Sequence, residues 1–304
     1  MIRVTFLGTG ASRPTVARNV SAVAVQREGE HFLFDCGEGT QRQMMRFGTG
    51  FTLDDIFITH VHADHYLGVI GLLRTLGLQG REEAMRVWTP KGTRGVLEDA
   101  IHLGVERVPF PIAVNELEPD EKVARDGFDI VAFATRHGIR SLGYALAEHR
   151  RLGRFDPDKA RALGLAEGPE FGRLHRGETV EVDGRTIEPE DVVGPARPGR
   201  TVVYTGDTRP APATERVARD ADLLIHDATF DDEEVDRAGA TGHSTARQAA
   251  RLAREAGVHR LVLTHVSSRY SDNPRRLERE AREEFSASVV AFDGLSLELP
   301  YRDD

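Results

Sequence analysis

The sequence predicts an α/β fold in which two mixed β-sheets pack face to face with helices on both flanks. Two observations carry that reading. Strand-type apolar runs alternate with helical patterns along the 304-residue chain, and the second half repeats the style of the first. Several of the strand-type runs also end on a single His or Asp where the chain leaves the sheet. Sites on layered α/β scaffolds are commonly built at such places.

Taken in order, residues 2–7, 21–26, 31–34 and 56–59 read as strands, mostly joined by glycine-bearing turns. Helical patterns follow at 38–47, 66–78 and 93–103, with Leu67, Ile70 and Leu73 as an apolar stripe. Residues 128–134 form a further strand, and 156–163 a short charged helix. Strands then fall at 202–205, 223–226, 261–264 and 289–292, with a helix over 245–256 for which Ser244 is the expected N-cap. Gly8 and Gly10 are expected to permit tight turns. Met44, Met45, Phe47 and Trp88 are expected to fill the interior.

The densest chemistry lies in Thr59-His60-Val61-His62-Ala63-Asp64-His65, directly after the apolar run Ile56-Phe57-Ile58. Imidazole and carboxylate bind Zn²⁺ and similar borderline cations. A polar loop with chance histidines is the plain alternative, but further partners appear at later strand ends. His137 follows Phe128–Ala134, Asp207 follows Thr201–Tyr204, and His265 follows Leu261–Leu263. These seven candidate ligands exceed the four that one tetrahedral ion takes, so they suit two ions with one carboxylate shared. A pair of divalent ions about 3.5–4 Å apart can hold the attacking and leaving oxygens of a displacement at phosphorus.

His-x-His-x-Asp-His with the later His, Asp and His resembles the metallo-β-lactamase superfamily. The other motifs resemble one branch of it, the ribonuclease Z family of tRNA 3′-processing endonucleases. Those motifs are Asp35-Cys36-Gly37-Glu38-Gly39-Thr40-Gln41, the segment Ala240–Thr245 that holds His243, Thr264–Tyr270, and Gly168–Leu174. Pro14–Asn19 is similar to the family's Pro-x-Lys-x-Arg-Asn loop, with Val16 where the family has Lys.

The resemblance implies a four-layer αββα sandwich formed by a single domain over 1–304, with a small protruding arm at 150–176 that grips substrate. It implies two Zn²⁺ per subunit, with Mn²⁺ as an alternative. His60, His62 and His137 would hold one ion and Asp64, His65 and His265 the other, with Asp207 bridging. Asp64 would also serve as general base and His243 as proton donor to the leaving 3′-oxygen. Arg18, Asn19, Gly168, Pro169 and Arg269 would contact the substrate. For Arg269 a surface salt bridge is an equal alternative. The implied substrate is precursor tRNA, cut to leave a 3′-hydroxyl on the tRNA and a 5′-phosphate on the trailer. The implied assembly is a homodimer in which one subunit's arm grips tRNA docked at the other's metals. DNA is not an expected partner.

Composition bounds these expectations. The chain carries a net charge of −9, whereas phosphate-binding surfaces are usually basic. The arm offsets this locally, with seven cations and four anions between Arg150 and Arg176. Arginine dominates, and its planar fork suits phosphate oxygens. The lone Cys36 excludes an intramolecular disulfide and favours a reducing compartment. No cleavable signal or membrane-spanning stretch is evident, so a cytoplasmic protein is expected. The alternative activity is hydrolysis of a small phosphodiester or thioester on the same site. A non-catalytic RNA-binding protein fits poorly with seven intact ligands.

Overall fold

The computed structural model describes residues 1–302 apart from Glu106 and Asp272. Its strands are, in chain order, β1 (Ile2–Gly8), β2 (Ala22–Arg27), β3 (Glu30–Phe34), β4 (Asp55–Phe57), β5 (Met85–Pro90), β6 (Ile112–Leu117), β7 (Lys122–Arg125), β8 (Phe128–Ala134), β9 (Leu142–Glu148), β10 (Val180–Val182), β11 (Arg185–Ile187), β12 (Thr201–Tyr204), β13 (Leu223–Asp227), β14 (Leu261–Thr264), β15 (Ser288–Val290) and β16 (Ser296–Leu299). The first sheet has the order β16-β1-β2-β3-β4-β5-β6 and the second β15-β14-β13-β12-β9-β8-β7. Both are mixed. Antiparallel β1–β2–β3 gives way to parallel β3–β4–β5–β6, and parallel β12–β13–β14–β15 shares its sheet with the antiparallel pair β7–β8.

The principal helices are α1 (Thr40–Phe47), α2 (Ala63–Tyr66), α3 (Gly68–Leu78), α4 (Arg94–Ile101), α5 (Pro157–Ala162), α6 (Pro169–His175), α7 (Pro189–Val192), α8 (Pro212–Val217), α9 (Val235–Thr241), α10 (Ala246–Glu255) and α11 (Arg275–Glu284). The inter-sheet core joins Phe6, Phe32, Phe34 and Phe57 of the first sheet to Phe128, Tyr144, Tyr204 and Ile225 of the second. Phe34 stacks on both Tyr144 and Tyr204. Each such buried side chain contributes about 1.5–3 kcal/mol. Separate clusters fill the helical flanks. Val69, Leu72 and Leu73 of α3 pack on the first sheet, and Ala246, Ala249 and Ala250 of α10 on the second. The metallo-β-lactamase sandwich of helix, sheet, sheet and helix is therefore the observed fold.

Two compact units divide the chain. The first holds both large sheets. The second comprises Ala147–Arg200 with the chain's end from Tyr301, and contains residues 150–176. It has its own core of Ala160, Leu165, Leu174, Val180, Ile187 and Val192, and its own hairpin β10–β11. Several of its cations are paired locally, Arg161 with Asp158 and Glu167, and Arg173 and Arg176 with Glu178.

Some local expectations are corrected. The helix expected over 66–78 is divided at Leu67 into α2 and α3, and Leu67 is exposed while Val69, Leu72, Leu73 and Leu76 form the buried face. The α10 cap is Thr245, not Ser244. Thr245 Oγ1 accepts from Gln248 N, the Gln248 side chain reaches back to Thr245 N, and Ser244 Oγ donates to Thr208 O instead. Met45 is exposed, and Trp88 is only partly buried, with Nε1 donating to Asp55. Gly8 serves close approach rather than a turn, since a Cβ there would lie 1.7 Å from Val20 O.

Candidate metal centre

Every candidate ligand lies just beyond a strand end, at the edge where the parallel strands finish. His60 follows β4, His137 follows β8, Asp207 follows β12, and His265 follows β14. His62, Asp64 and His65 continue from His60 into α2. Ligands commonly gather outside the carboxyl ends of strands in open α/β sheets. The backbone is strained here. Asp35 (φ 58°) and His265 (φ 57°) are left-handed without being glycine, at about 1–3 kcal/mol each. Beside Asp207, Gly206 (φ 59°) leaves room where a Cβ would sit 2.7 Å from the Thr59 side chain.

The seven ligands expected from sequence come together in two groups that share Asp207. His60, His62, His137 and Asp207 form one, and Asp64, His65 and His265 the other; His243 also comes within ligand distance of Asp207 and His265. In the first, His62 Nδ1 lies 3.0 Å from His60 Nε2 and 3.1 Å from His137 Nε2. Asp207 Oδ2 is 3.6 Å from His60 Nε2 and 3.8 Å from His137 Nε2. In the second, Asp64 Oδ2 is 3.5 Å from His65 Nε2 and 3.9 Å from His265 Nε2. Asp207 closes it, with Oδ1 3.3 Å from His65 Nε2 and Oδ2 3.2 Å from His265 Nε2.

These separations test the fit to a metal. Ligands about 2.0–2.1 Å from a tetrahedral Zn²⁺ are about 3.3–3.4 Å apart, close to the distances above. In addition, His65 Nε2 and Asp207 Oδ1 are buried without any hydrogen-bond partner. Buried polar atoms rarely lack one, and a cation between the ligands would satisfy both. The donor set of imidazoles and carboxylates therefore fits divalent cations.

The outer nitrogens of His60, His65, His137 and His265 are held. His65 Nδ1 donates to Asp35 Oδ2 at 2.7 Å, His60 Nδ1 meets Thr59 Oγ1 at 3.0 Å, and His137 Nδ1 donates to Gly242 O at 2.9 Å. His265 Nδ1 meets Ser21 Oγ at 3.0 Å. Such partners fix ring orientation and tautomer, leaving Nε2 as the bare ligand atom of these four rings, while His62 faces the cluster through Nδ1. Asp35 is fully buried and also accepts from Thr59 N at 2.8 Å and Tyr204 Oη at 2.7 Å. Asp64 Oδ2 accepts from Ser12 N at 2.7 Å, which ties the Thr9–Asn19 loop to the centre.

His243 sits beside this cluster, its ring stacked 5.3 Å from that of His265. Its Nδ1 donates to Asp227 Oδ2 at 2.8 Å. Asp227 is fully buried and is fixed by Thr208 N, Thr229 N and Thr229 Oγ1. Burial disfavours charge on His243, but the adjoining Asp227 carboxylate, assisted by Asp207, outweighs it and raises the pKa to about 9. Burial, reinforced by the neighbouring His65, holds His60 well below the ordinary imidazole value. Burial and His137 do the same to His62 in lesser degree. Burial works against an ionised Asp207, but the His265 and His65 imidazoles prevail and keep it well below the carboxylate range.

The expected substrate contacts are placed less uniformly. Arg18 is buried, and its Nη1 donates to Thr9 Oγ1 at 2.7 Å and Ala291 O at 2.6 Å. Asn19 donates through Nδ2 to Glu38 O at 2.9 Å. Val16 is fully exposed on the same loop. Arg269 pairs with Glu234, the salt bridge weighed as an alternative from sequence. Gly168 caps α6 and Pro169 opens it, within the second unit. Sequence reasoning missed Asp35, Asp227 and Tyr204 as parts of the site. The first two obey the same rule as the ligands, a carboxylate at a strand end.

Comparison with known proteins gives consistent results. A family model described as the β-lactamase superfamily domain matches residues 30–266. The ribonuclease Z of Myxococcus xanthus is 55% identical over 305 residues, covering 100% of this chain and 99% of its own. That of Gemmatimonas aurantiaca is 56% identical over 304 residues, covering 99% and 97%. Among solved structures, human tRNase Z, short form, superposes with a TM-score of 0.71 at 29% identity, covering 98% of this chain and 100% of that one. A metallo-β-lactamase fold protein from Bacillus subtilis reaches 0.70 at 20% identity, covering 98% and 100%, a likeness of fold alone.

Proposed function

The chain belongs to the ribonuclease Z family of the β-lactamase superfamily and is a tRNA 3′-processing endoribonuclease, and we propose that its seven His and Asp ligands hold two Zn²⁺ ions at which the precursor is cut. The observation that carries this is the pair of ligand groups closed by one Asp207 carboxylate. Charge supports bound cations. Asp35, Asp207 and Asp227 are buried and Asp64 is nearly so. Buried anionic charge is costly unless compensated; protonated His243 offsets Asp227, and divalent cations among the ligands would offset the others. Mn²⁺ satisfies the same ligands.

When bound, the ions supply Lewis-acid polarisation of the phosphodiester and acidification of water. The chain's own residues do the rest. Asp64 is held through Oδ2 by Ser12 N, so its carboxylate is oriented to accept the proton of attacking water. His243 donates Nδ1–H to Asp227, which directs Nε2–H outward. Protonated at neutral pH, it delivers a proton to the leaving 3′-oxygen. The products are a tRNA ending in a 3′-hydroxyl and a trailer beginning with a 5′-phosphate.

Asn19 and the exposed part of the Pro14–Asn19 loop meet the substrate near the cut, while buried Arg18 positions that loop. Gly168 and Pro169 act in the second unit, whose 150–176 segment serves as the tRNA-gripping arm. Arg269, once released from Glu234, adds a phosphate contact. A homodimer acts in the cytoplasm, one copy's arm gripping tRNA at the other's centre. The lone buried Cys36 suits a reducing compartment. No described helix is long and apolar enough to cross a membrane.

The test is to map both product ends from a precursor tRNA with a 3′ trailer, alongside elemental analysis of the purified protein. A cut just after the discriminator base with two metals per chain is the expected result. Cleavage elsewhere, or a single metal at full activity, refutes the proposal.

A further inference from the structure

A groove of ≈ 870 Å³ runs between α11 and the segment Val289–Leu295, and apart from Arg18 in its lining no part of the chemistry above uses it. Its floor is apolar, from Val289, Val290 and Leu295, and Phe292 stands 57% exposed on its rim. Along α11, Arg275, Arg279 and Arg282 recur at one-turn spacings and line the same side. The two lining anions are engaged. Glu278 pairs with Arg282 and accepts from Val290 N, and Glu283 pairs with Arg247. Among the described residues, Arg275 and Arg279 have no ion-pair partner, so two free cations face this groove on a protein of net charge −9.

The groove is joined to the metal centre by short links. Ala291 O accepts from Arg18, and Asp293 accepts from Thr9 Oγ1 at 2.8 Å and Asn19 N at 2.6 Å. The same Thr9–Asn19 loop donates from Ser12 to Asp64. From the other direction, the chain runs from His265 through Ser268–Tyr270 into α11.

We propose that this groove is a track for single-stranded RNA that holds the 3′ trailer beside the metal centre. A base stacks on Phe292, and Arg275 and Arg279, about 6 Å apart along the helix axis, hold phosphates. The proposal rests on the tRNA 3′-processing reading above. An exposed aromatic bordered by arginines suits unstacked bases, whose π-faces a duplex acceptor stem does not present.

The test compares wild type with Phe292→Ala and with Arg275→Ala/Arg279→Ala on two precursor tRNAs, one with a single-nucleotide trailer and one with a trailer of about ten nucleotides. A parallel anisotropy titration uses a labelled single-stranded oligoribonucleotide on the full-length protein. The expected result is a rise in KM of about five-fold or more for the long trailer only, the loss of one stacked base. The oligoribonucleotide's affinity should weaken in proportion. Equal effects on both precursors, or unchanged binding, overturn the track. A shift from dimer to monomer by light scattering in Phe292→Ala also overturns it, marking the groove as a self-interface. If wild type cuts neither precursor but binds the oligoribonucleotide in a Phe292-dependent way, the endonuclease reading fails and the single-strand groove stands.

Discussion

Asp35→Asn is the most searching perturbation of the centre, because Asp35 touches no proposed metal yet fixes a ligand. Its Oδ2 accepts from His65 Nδ1 and Tyr204 Oη, and its Oδ1 from Thr59 N and Oγ1. Asparagine is isosteric but keeps one acceptor oxygen. With that oxygen facing Thr59, the amide NH₂ points at His65 Nδ1–H and Tyr204. Tyrosine can rotate its hydroxyl and accept. His65 can accept only by moving its proton to Nε2, the atom that faces Asp64 and Asp207. Metal binding must then reverse the tautomer against an opposing donor. Loss of such an outer partner typically costs 10–100-fold in metal affinity or activity, which is about 1.4–2.7 kcal/mol. Competition between the full-length protein and a zinc chelator measures this directly. Tyr204→Phe is the control, since it removes one donor and leaves the His65 tautomer intact, and it should lose less. If Asp35→Asn kept zinc affinity within about two-fold of wild type, tautomer control by Asp35 would be refuted.

Further outcomes are expected. Asp64→Ala should remove nearly all turnover, at least the roughly 10²–10⁴-fold of general-base catalysis, while a binding assay finds tRNA affinity changed only a few-fold. His243 has its pKa raised to about 9 and acts in its protonated form, so the rate should fall as pH rises through about 9. In Asp227→Asn, that fall should move down toward the free-imidazole value of about 6.5. Excising the whole compact unit Ala147–Arg200, rather than 150–176 alone, should abolish precursor cleavage and spare a small phosphodiester, since 150–176 carries only part of that unit's core. Chelation should abolish activity on both substrates and lower the Tm, and added Zn²⁺ or Mn²⁺ should restore both.

The sandwich was legible because its buried strands are short, apolar and bounded by turn residues. What escaped includes the strands Met85–Pro90, Ile112–Leu117 and the mainly buried Leu142–Glu148; the rest was amphipathic or polar. Lys122–Arg125 and Ser296–Leu299 are the outermost strands of their sheets, with too few apolar residues to register. The helix Arg275–Glu284 is almost entirely charged, with Leu277 and Ala281 as its main apolar anchors. Its place against Val290 is decided by tertiary packing rather than by an apolar stripe. The second unit was legible as a charged segment but not in extent. Its core draws on Val180, Ile187 and Val192, which lie beyond the Arg150–Arg176 run.

At the site, the seven candidate ligands were legible as a dense His and Asp cluster after one apolar run and as a single His or Asp where three later runs end. Asp35 and Asp227 likewise end apolar runs, and neither faces the metal side of the cluster as a ligand. That placement locates a side chain at the sheet edge but does not say what it meets there. Asp207 has His60, His65, His137 and His265 around its carboxylate, so it faces the cations those rings would share. Asp35 instead meets Thr59 and Tyr204 on the core side of His65, and Asp227 meets Thr208, Thr229 and His243. Ligand and holder are thus separated by which neighbour each carboxylate encounters across the sheets, a contact between residues as far apart as Asp35 and Tyr204. Local sequence carries no record of that pairing, although it supplies every group the pairing uses.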